Sequence, residues 1–234
     1  MVRLLRESVR LLRSNFLLFS AIVLTVWLPG NILLDCLSCY VYGYDSWESF
    51  RITILFAGIF EPICAGALVY AVSRRKQDLP ATYGQALRVG LRNWGRLFWA
   101  RVIAGWFISL GLVALVVPGI MLVVRYALLD PVVVLEGVGG RESTKRSSTL
   151  TKGMRWRIFG VGLLLLISYL LFMFLINLPL AFLPEFDNVV IEVILDSAGD
   201  ILFSLITIAM VLFYLEAGKR ESAAAAIVPP PIPA

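Results

Sequence analysis

The chain has 234 residues, of which 59% are hydrophobic and 16% are charged, and its mean hydropathy is +0.86. Soluble domains are about 45–50% apolar and about 25% charged, so this composition excludes an ordinary soluble protein. Several continuous apolar runs reach the roughly 20 residues that cross a bilayer as a helix, whereas a β-barrel would show short alternating segments. The composition therefore predicts an all-α, polytopic membrane bundle.

The sequence contains no histidine, which removes the commonest general base and the commonest metal ligand. No nucleophile–base pair is visible, and the glycine-rich stretch after residue 136 lacks the spacing of a phosphate-binding loop. We therefore expect no catalytic, metal or cofactor site. The net charge of +5 is typical of a membrane protein with basic cytoplasmic loops, so we expect no nucleic-acid partner.

Residues 1–14 are predicted to form an amphipathic helix that lies in the membrane interface. Four arginines recur at spacings of three and four residues and form a basic stripe: Arg3, Arg6, Arg10 and Arg13. An apolar stripe is predicted on the opposite face: Leu5, Val9, Leu12 and Phe16.

Residues 15–217 are predicted to form one transmembrane domain of six helices. The predicted spans are 15–39, 50–73, 97–117, 120–136, 157–182 and 200–215. Pro29-Gly30 is expected to kink the first span, and Pro118-Gly119 is expected to make a tight reversal between the third and fourth. The tail, residues 218–234, ends in a proline-rich stretch and is predicted to be disordered.

Two further basic segments precede pairs of spans and are predicted to lie at the cytoplasmic interface. In the first, residues 82–96, arginines recur every four residues: Arg88, Arg92 and Arg96. Tryptophan, which is enriched at membrane interfaces, accompanies them at Trp94 and Trp99. The second segment runs from Arg141 to Lys152, with Gly153 as its expected C-cap.

The distribution of charge predicts the orientation. Of the 21 Lys and Arg residues, 19 lie before the first span, from Arg74 to Arg101, from Arg141 to Arg157, or after the sixth span. The alternate loops are acidic: the first holds Asp45 and Glu48, and the loop before the sixth span holds Glu185, Asp187, Glu192 and Asp196. By the positive-inside rule, we expect both termini on the cytoplasmic side of a bacterial inner membrane.

Several motifs in the middle of the chain resemble a known family. They are Pro118-Gly119-Ile120, Arg125-Tyr126, the run from Pro131 to Gly137, Lys145-Arg146-Ser147, the run from Leu150 to Gly153, and Trp156-Arg157. This stretch resembles the membrane domain attached to some bacterial glycerophosphodiester phosphodiesterases, and equally stand-alone six-helix bacterial membrane proteins of unassigned function. The resemblance covers about residues 80–165 and more loosely Pro62 to Gly66. It implies a membrane architecture only, because this sequence contains no phosphodiesterase domain with paired acidic metal ligands and histidines.

Charged residues inside predicted spans define a candidate intramembrane polar site: Glu61, Arg125, Asp130 and Glu136. A charge at this depth is costly and normally faces other helices or a wet cavity. We expect Arg125 to pair with Glu61 or Asp130. Such a pair either locks helices together or holds a lipid phosphate or an anionic substrate.

The basic segments define candidate contacts to anionic lipid headgroups: Arg88, Arg92, Arg96, Arg101, Arg155 and Arg157. The favoured interpretation is a non-enzymatic membrane protein that interacts with anionic lipid, as a scaffold or in lipid or envelope homeostasis. One alternative is a small transporter or permease subunit with a central polar site, and another is a membrane enzyme of lipid headgroups. A partner membrane protein or a homo-oligomer is compatible with all three.

Overall fold

The structure, a computed structural model, describes residues 2–37, 41, 47–182 and 189–227. Helices account for nearly all of them, and no strand occurs within these ranges. In chain order the helices are α1 (Val2–Ser14), α2 (Phe16–Leu37), α3 (Trp47–Lys76), α4 (Tyr83–Ala114), α5 (Val116–Tyr126), α6 (Leu129–Pro131), α7 (Gly140–Leu150), α8 (Arg155–Phe182) and α9 (Val189–Ile227). A π-helical segment, Val132–Glu136, follows α6 directly.

Six segments are long and apolar enough to cross a membrane: Phe16–Leu37, Trp47–Lys76, Tyr83–Ala114, Val116–Glu136, Arg155–Leu178 and Val189–Ala223. The fourth of these is composite, because it combines α5, α6 and the π-helical segment. The predicted all-α bundle with six membrane-spanning helices is thus confirmed in helix number, length and composition. The helix α2 continues through Pro29 without a break.

The predicted interfacial helix at residues 82–96 is not a separate element. It forms the first half of α4, which begins with a capping box: Thr82 Oγ1 accepts from the Gln85 backbone N–H at 3.4 Å, and the Gln85 side chain accepts from the Thr82 N–H at 3.4 Å. The helix then continues without interruption to Ala114, because no glycine–proline pair interrupts it.

The reversal between the third and fourth spans lies at Leu115, three residues before the predicted position. Leu115 has an extended backbone, and Pro118 falls in the first turn of α5, where a missing N–H costs nothing. Gly119 then packs against Leu112 of α4 so closely that a Cβ atom there would overlap the leucine side chain. The proline therefore starts a helix instead of ending one.

The last helix is longer than the predicted sixth span at both ends. Glu192 and Asp196, which were expected in a loop, lie within α9, and so do residues 218–227 of the tail that was predicted to be disordered. Residues 228–234 lie outside the described part of the chain, as do Asp45, Glu185 and Asp187 of the predicted acidic loops.

The first helix packs against the protein as well as facing outward. Leu4 and Ser8 are buried, and Leu4 joins a core cluster with residues of α8 and α9. Two members of the predicted apolar stripe, Val9 and Phe16, are exposed, so the buried face is rotated from the expected one. The four arginines of the basic stripe are all exposed, as predicted.

A second, larger core cluster joins α2, α3 and α9, and α4 packs onto it at a point of close backbone approach. A Cβ atom built on Gly66 of α3 would lie 3.1 Å from the Gly90 Cα of α4. At Gly90 a Cβ atom would overlap the backbone carbonyl of Ile63. Small residues at such a crossing let membrane helices pack backbone to backbone.

This crossing yields a stability prediction with a matched control on the same helix. Gly90→Ala should lower the free energy of unfolding by about 1–3 kcal/mol, because overpacking forces the backbones apart. Gly95→Ala should be neutral or stabilising, since a Cβ atom at Gly95 meets nothing within 4 Å and alanine favours a helix. Thermal unfolding in detergent, followed by circular dichroism, measures both. Equal stability of the two variants would contradict the close packing at Gly90.

Candidate functional site

An arginine of α4 joins three helical segments through two carboxylates. Arg101 donates from Nε to Asp130 Oδ1 at 3.0 Å and from Nη2 to Asp130 Oδ2 at 2.7 Å. Its Nη1 lies 3.0 Å from Glu61 Oε1 of α3. We call Arg101, Glu61 and Asp130 the polar triad.

The surroundings of the polar triad are apolar on the α4 and α6 side. A core cluster there comprises Leu97, Ala100, Ala104, Leu129 and Val133. About a quarter of the Arg101 side chain is exposed. In such surroundings a bidentate arginine–carboxylate pair is stronger than in water, and removing one partner leaves an uncompensated charge.

The predicted pairing of Arg125 is wrong. Glu61 and Asp130 do come together, but the cation between them is Arg101, which was expected to contact lipid. Arg125 lies five residues before Asp130, whereas neighbours on one helix face are three or four residues apart. In addition, α5 ends at Tyr126, and the chain bends before Asp130.

Arg125 instead lies against α7. Its backbone carbonyl accepts a hydrogen bond from Ser147 Oγ at 2.9 Å, and its Nε is buried without a hydrogen-bond partner. The residue has no ion pair within the described part of the chain. It is therefore separate from the polar triad.

Glu136 belongs to a second cluster, at the end of the π-helical segment. It accepts from Arg146 Nε at 2.9 Å and from the Tyr214 hydroxyl at 3.0 Å. Arg146 also forms a bidentate ion pair with Glu221 of α9, in which each N–O distance is 2.7 Å. Its hydrogen bonds to Glu221 and Glu136 raise the pKa of Arg146 above its ordinary value, so the Arg146 guanidinium stays charged.

Beside this cluster, the start of α8 is tied to α9. Arg157 Nη1 donates to Glu216 Oε1 at 2.7 Å, and Nη2 donates to Oε2 at 3.2 Å. Arg220, one turn further along α9, donates to the same carboxylate at 2.8 Å. Arg157 therefore has an ion-pair partner within the protein, a carboxylate that it shares with Arg220.

A cavity of about 580 Å³ lies between α5 and α8. We call it the α5/α8 cavity. One wall is apolar and comes from α5: Val117, Ile120, Met121 and Val124. The other wall comes from the start of α8 and the turn before it: Gly153, Arg155, Trp156, Arg157 and Phe159.

Arg155 is the uncompensated cation of this cavity. Its Nε is buried without a hydrogen-bond partner, and it forms no ion pair with any described residue. Trp156 beside it is 85% exposed. The cavity lining thus combines an apolar wall with an exposed indole and an arginine that has no ion pair among the described residues.

The six candidate lipid contacts therefore have different environments. Arg88, Arg92 and Arg96 are exposed on α4. Arg101 is held within the polar triad by two carboxylates, so its predicted lipid contact receives no support from its ion pairs and stays a prediction. Arg155 and Arg157 line the α5/α8 cavity, and only Arg155 is free.

Comparison of this chain with protein-family models, with curated proteins and with solved structures found no match. The resemblance to the membrane domain of bacterial glycerophosphodiester phosphodiesterases therefore stays a prediction.

The role of Arg101 had a detectable signal in the sequence. It falls inside the predicted third span, four residues past Leu97, so the same rule that singled out Arg125 applies to it. The α5/α8 cavity had no such signal, because it depends on how two helices distant in sequence diverge.

A double-mutant cycle tests the polar triad. Arg101→Gln and Asp130→Asn should each destabilise the protein, and the double variant should lose less than the sum of the two. The coupling should amount to about 0.5–3 kcal/mol, because the two side chains share a direct pair. Equilibrium unfolding in mixed micelles measures the three free energies.

The matched control pairs Arg125→Gln with Asp130→Asn. These losses should be additive, since Arg125 makes no contact with Asp130. Coupling in the control cycle, or its absence in the Arg101 cycle, would contradict the described pairing.

Proposed function

We propose that this protein is a non-enzymatic, multi-pass protein of a bacterial inner membrane that binds an anionic phospholipid in the α5/α8 cavity. The binding serves a scaffolding role or a role in lipid or envelope homeostasis. The observation that carries the proposal is that Arg155, which has no ion pair among the described residues, lines a largely apolar cavity.

The shape of the α5/α8 cavity suits an amphiphile. The four α5 residues of its wall recur at helical spacing and present one continuous apolar stripe toward α8. An acyl chain along this stripe would place its headgroup beside Arg155 and Trp156. Tryptophan at this position is typical of the level of lipid headgroups.

The charges favour a lipid whose headgroup carries a net negative charge. Arg157 is paired with Glu216, whereas Arg155 has no ion pair among the described residues and is the cation that a phosphate oxygen would meet. A charge-assisted hydrogen bond of this kind contributes about 1.5–3 kcal/mol. The phosphate would give Arg155 the ion-pair partner that the described residues do not supply.

The wider distribution of charge supports a cytoplasmic location for this end of the bundle. The exposed arginines of α1 and the partly buried arginines at the start of α8 are in segments that the positive-inside rule assigns to the cytoplasm. Anionic lipids of that leaflet attract near-surface Lys and Arg, each worth about 1 kcal/mol. Both termini are proposed to lie on this side.

A transport function receives less support. Both carboxylate oxygens of Asp130 are occupied by Arg101, and Arg101 also reaches Glu61. These ion pairs connect α4 to α3 and α6, which is what a structural link between helices requires. The α5/α8 cavity is lined by neither the polar triad nor Arg125.

Native mass spectrometry with added phosphatidylglycerol tests the proposal. Arg155→Gln should weaken retention of the lipid about 10- to 100-fold, which corresponds to the loss of one charge-assisted hydrogen bond. Arg125→Gln is the matched control, because it removes the same charge from α5 at a position that does not line the cavity. It should retain lipid as the wild type does.

Phosphatidylcholine serves as the zwitterionic comparison and should be retained weakly by all three proteins. Thermal unfolding of each variant verifies that it is folded. Equal retention of phosphatidylglycerol by folded Arg155→Gln and wild-type protein would refute the lipid site at α8.

A further inference from the structure

We propose a second binding site for an anionic phospholipid, between α4 and the start of α7. It rests on the proposed function in that it takes the same class of ligand, but it is built from different residues. A cavity of about 220 Å³ is lined there by Val102, Ile103, Trp106, Phe107 and Arg141. We call it the α4/α7 cavity.

The wall contributed by α4 is apolar and largely exposed. Val102 and Trp106 are one helical turn apart, as are Ile103 and Phe107, so the four side chains form two adjacent ridges on one helix face. Trp106 is 69% exposed and Phe107 is 38% exposed. In a bilayer this face is in contact with acyl chains.

Arg141 is the basic residue that lines the α4/α7 cavity, and Arg96 packs against the glycine-rich turn that precedes it. Arg141 is exposed and has no ion pair with any described residue. Arg96 of α4 packs beside Gly139, where a Cβ atom would lie 3.7 Å from the arginine side chain. It also donates from Nη1 to the Gly137 carbonyl at 3.4 Å.

The backbone adds to this basic end. The helix α7 begins after Gly139, which has no side chain to cap the first-turn N–H groups. Such uncapped N–H groups favour a bound anion. Glu142 also lies in the first turn and opposes an anion, but it does not line the cavity.

The size of the cavity favours a lipid over a soluble metabolite. Pockets that enclose a whole small ligand measure about 300–1,000 Å³, and this one is smaller. It can hold only part of a ligand, so the remainder must lie against the exposed face of α4. An anionic phospholipid fits, with its phosphate at Arg141 and one acyl chain along Trp106.

Lipid stoichiometry tests the proposal by native mass spectrometry of the full chain with phosphatidylglycerol. Wild type should retain two lipids, Arg141→Gln one, Arg155→Gln one, and the double variant none. The second binding step should weaken about 10-fold in Arg141→Gln, as expected for the loss of one charge-assisted hydrogen bond. Lys145→Gln is the matched control, since it removes a charge from the same helix outside the cavity.

A second pair of variants tests the apolar wall. Trp106→Ala should lose the same lipid as Arg141→Gln, whereas Trp99→Ala, also exposed on α4 but outside the cavity, should keep both. If Arg141→Gln and Trp106→Ala both keep two lipids, the second site is overturned. If Arg155→Gln keeps two lipids while Arg141→Gln loses one, the α5/α8 site fails and this one stands.

Discussion

The fold depends on the cost of a charge in an apolar bundle, and the polar triad is where that cost is offset. Arg101 would be strongly unfavourable among the apolar side chains of α4 unless carboxylates surrounded it. Glu61 supplies one from α3 and Asp130 the other from the bend after α5. The triad thus fixes α4 relative to two segments that are distant in sequence.

The same constraint determines the path of the chain after the triad. Asp130 can face Arg101 because α5 stops at Tyr126 and the helix re-forms as α6 and the π-helical segment. This segment ends at Gly137, whose φ of 72° is in the left-handed region. The turn places Glu136 next to Arg146. It also places the start of α7 beside Arg96. The π-helical geometry, which is rare and concentrated at functional positions, therefore lies between two ion-pair clusters.

Once the internal pairs are formed, the arginines differ in what compensates their charge. Those that link helices, such as Arg101, Arg146 and Arg157, have carboxylate partners within the protein. Others, such as Arg125, Arg141 and Arg155, have no ion pair among the described residues. Of these three, Arg141 and Arg155 line a cavity together with apolar side chains, which suits an anionic amphiphile. The combination of an unpaired arginine with an apolar cavity thus identifies the proposed sites better than the total charge does.

Hydrophobic runs were enough to predict six membrane-spanning helices, because each helix must satisfy its own backbone hydrogen bonds in lipid. They were not enough to locate helix ends, as Leu115 and the tail after residue 217 show. The residue types of the polar triad were also predictable, since charges are rare within spans. The choice of Arg101 over Arg125 was not, because it depends on the bend before Asp130 and on the crossing of α3 and α4. The sequence also could not show that Glu216 pairs with Arg157, whereas Arg155 has no ion pair among the described residues.

An experimental structure in nanodiscs that contain phosphatidylglycerol would test directly whether an anionic lipid occupies the α5/α8 cavity. We expect lipid density in this cavity, with a phosphate oxygen within hydrogen-bond distance of the Arg155 guanidinium and an acyl chain along Val117 to Val124. A cavity closed by direct packing of α5 on α8, or a lipid whose phosphate lies away from Arg155, would contradict it.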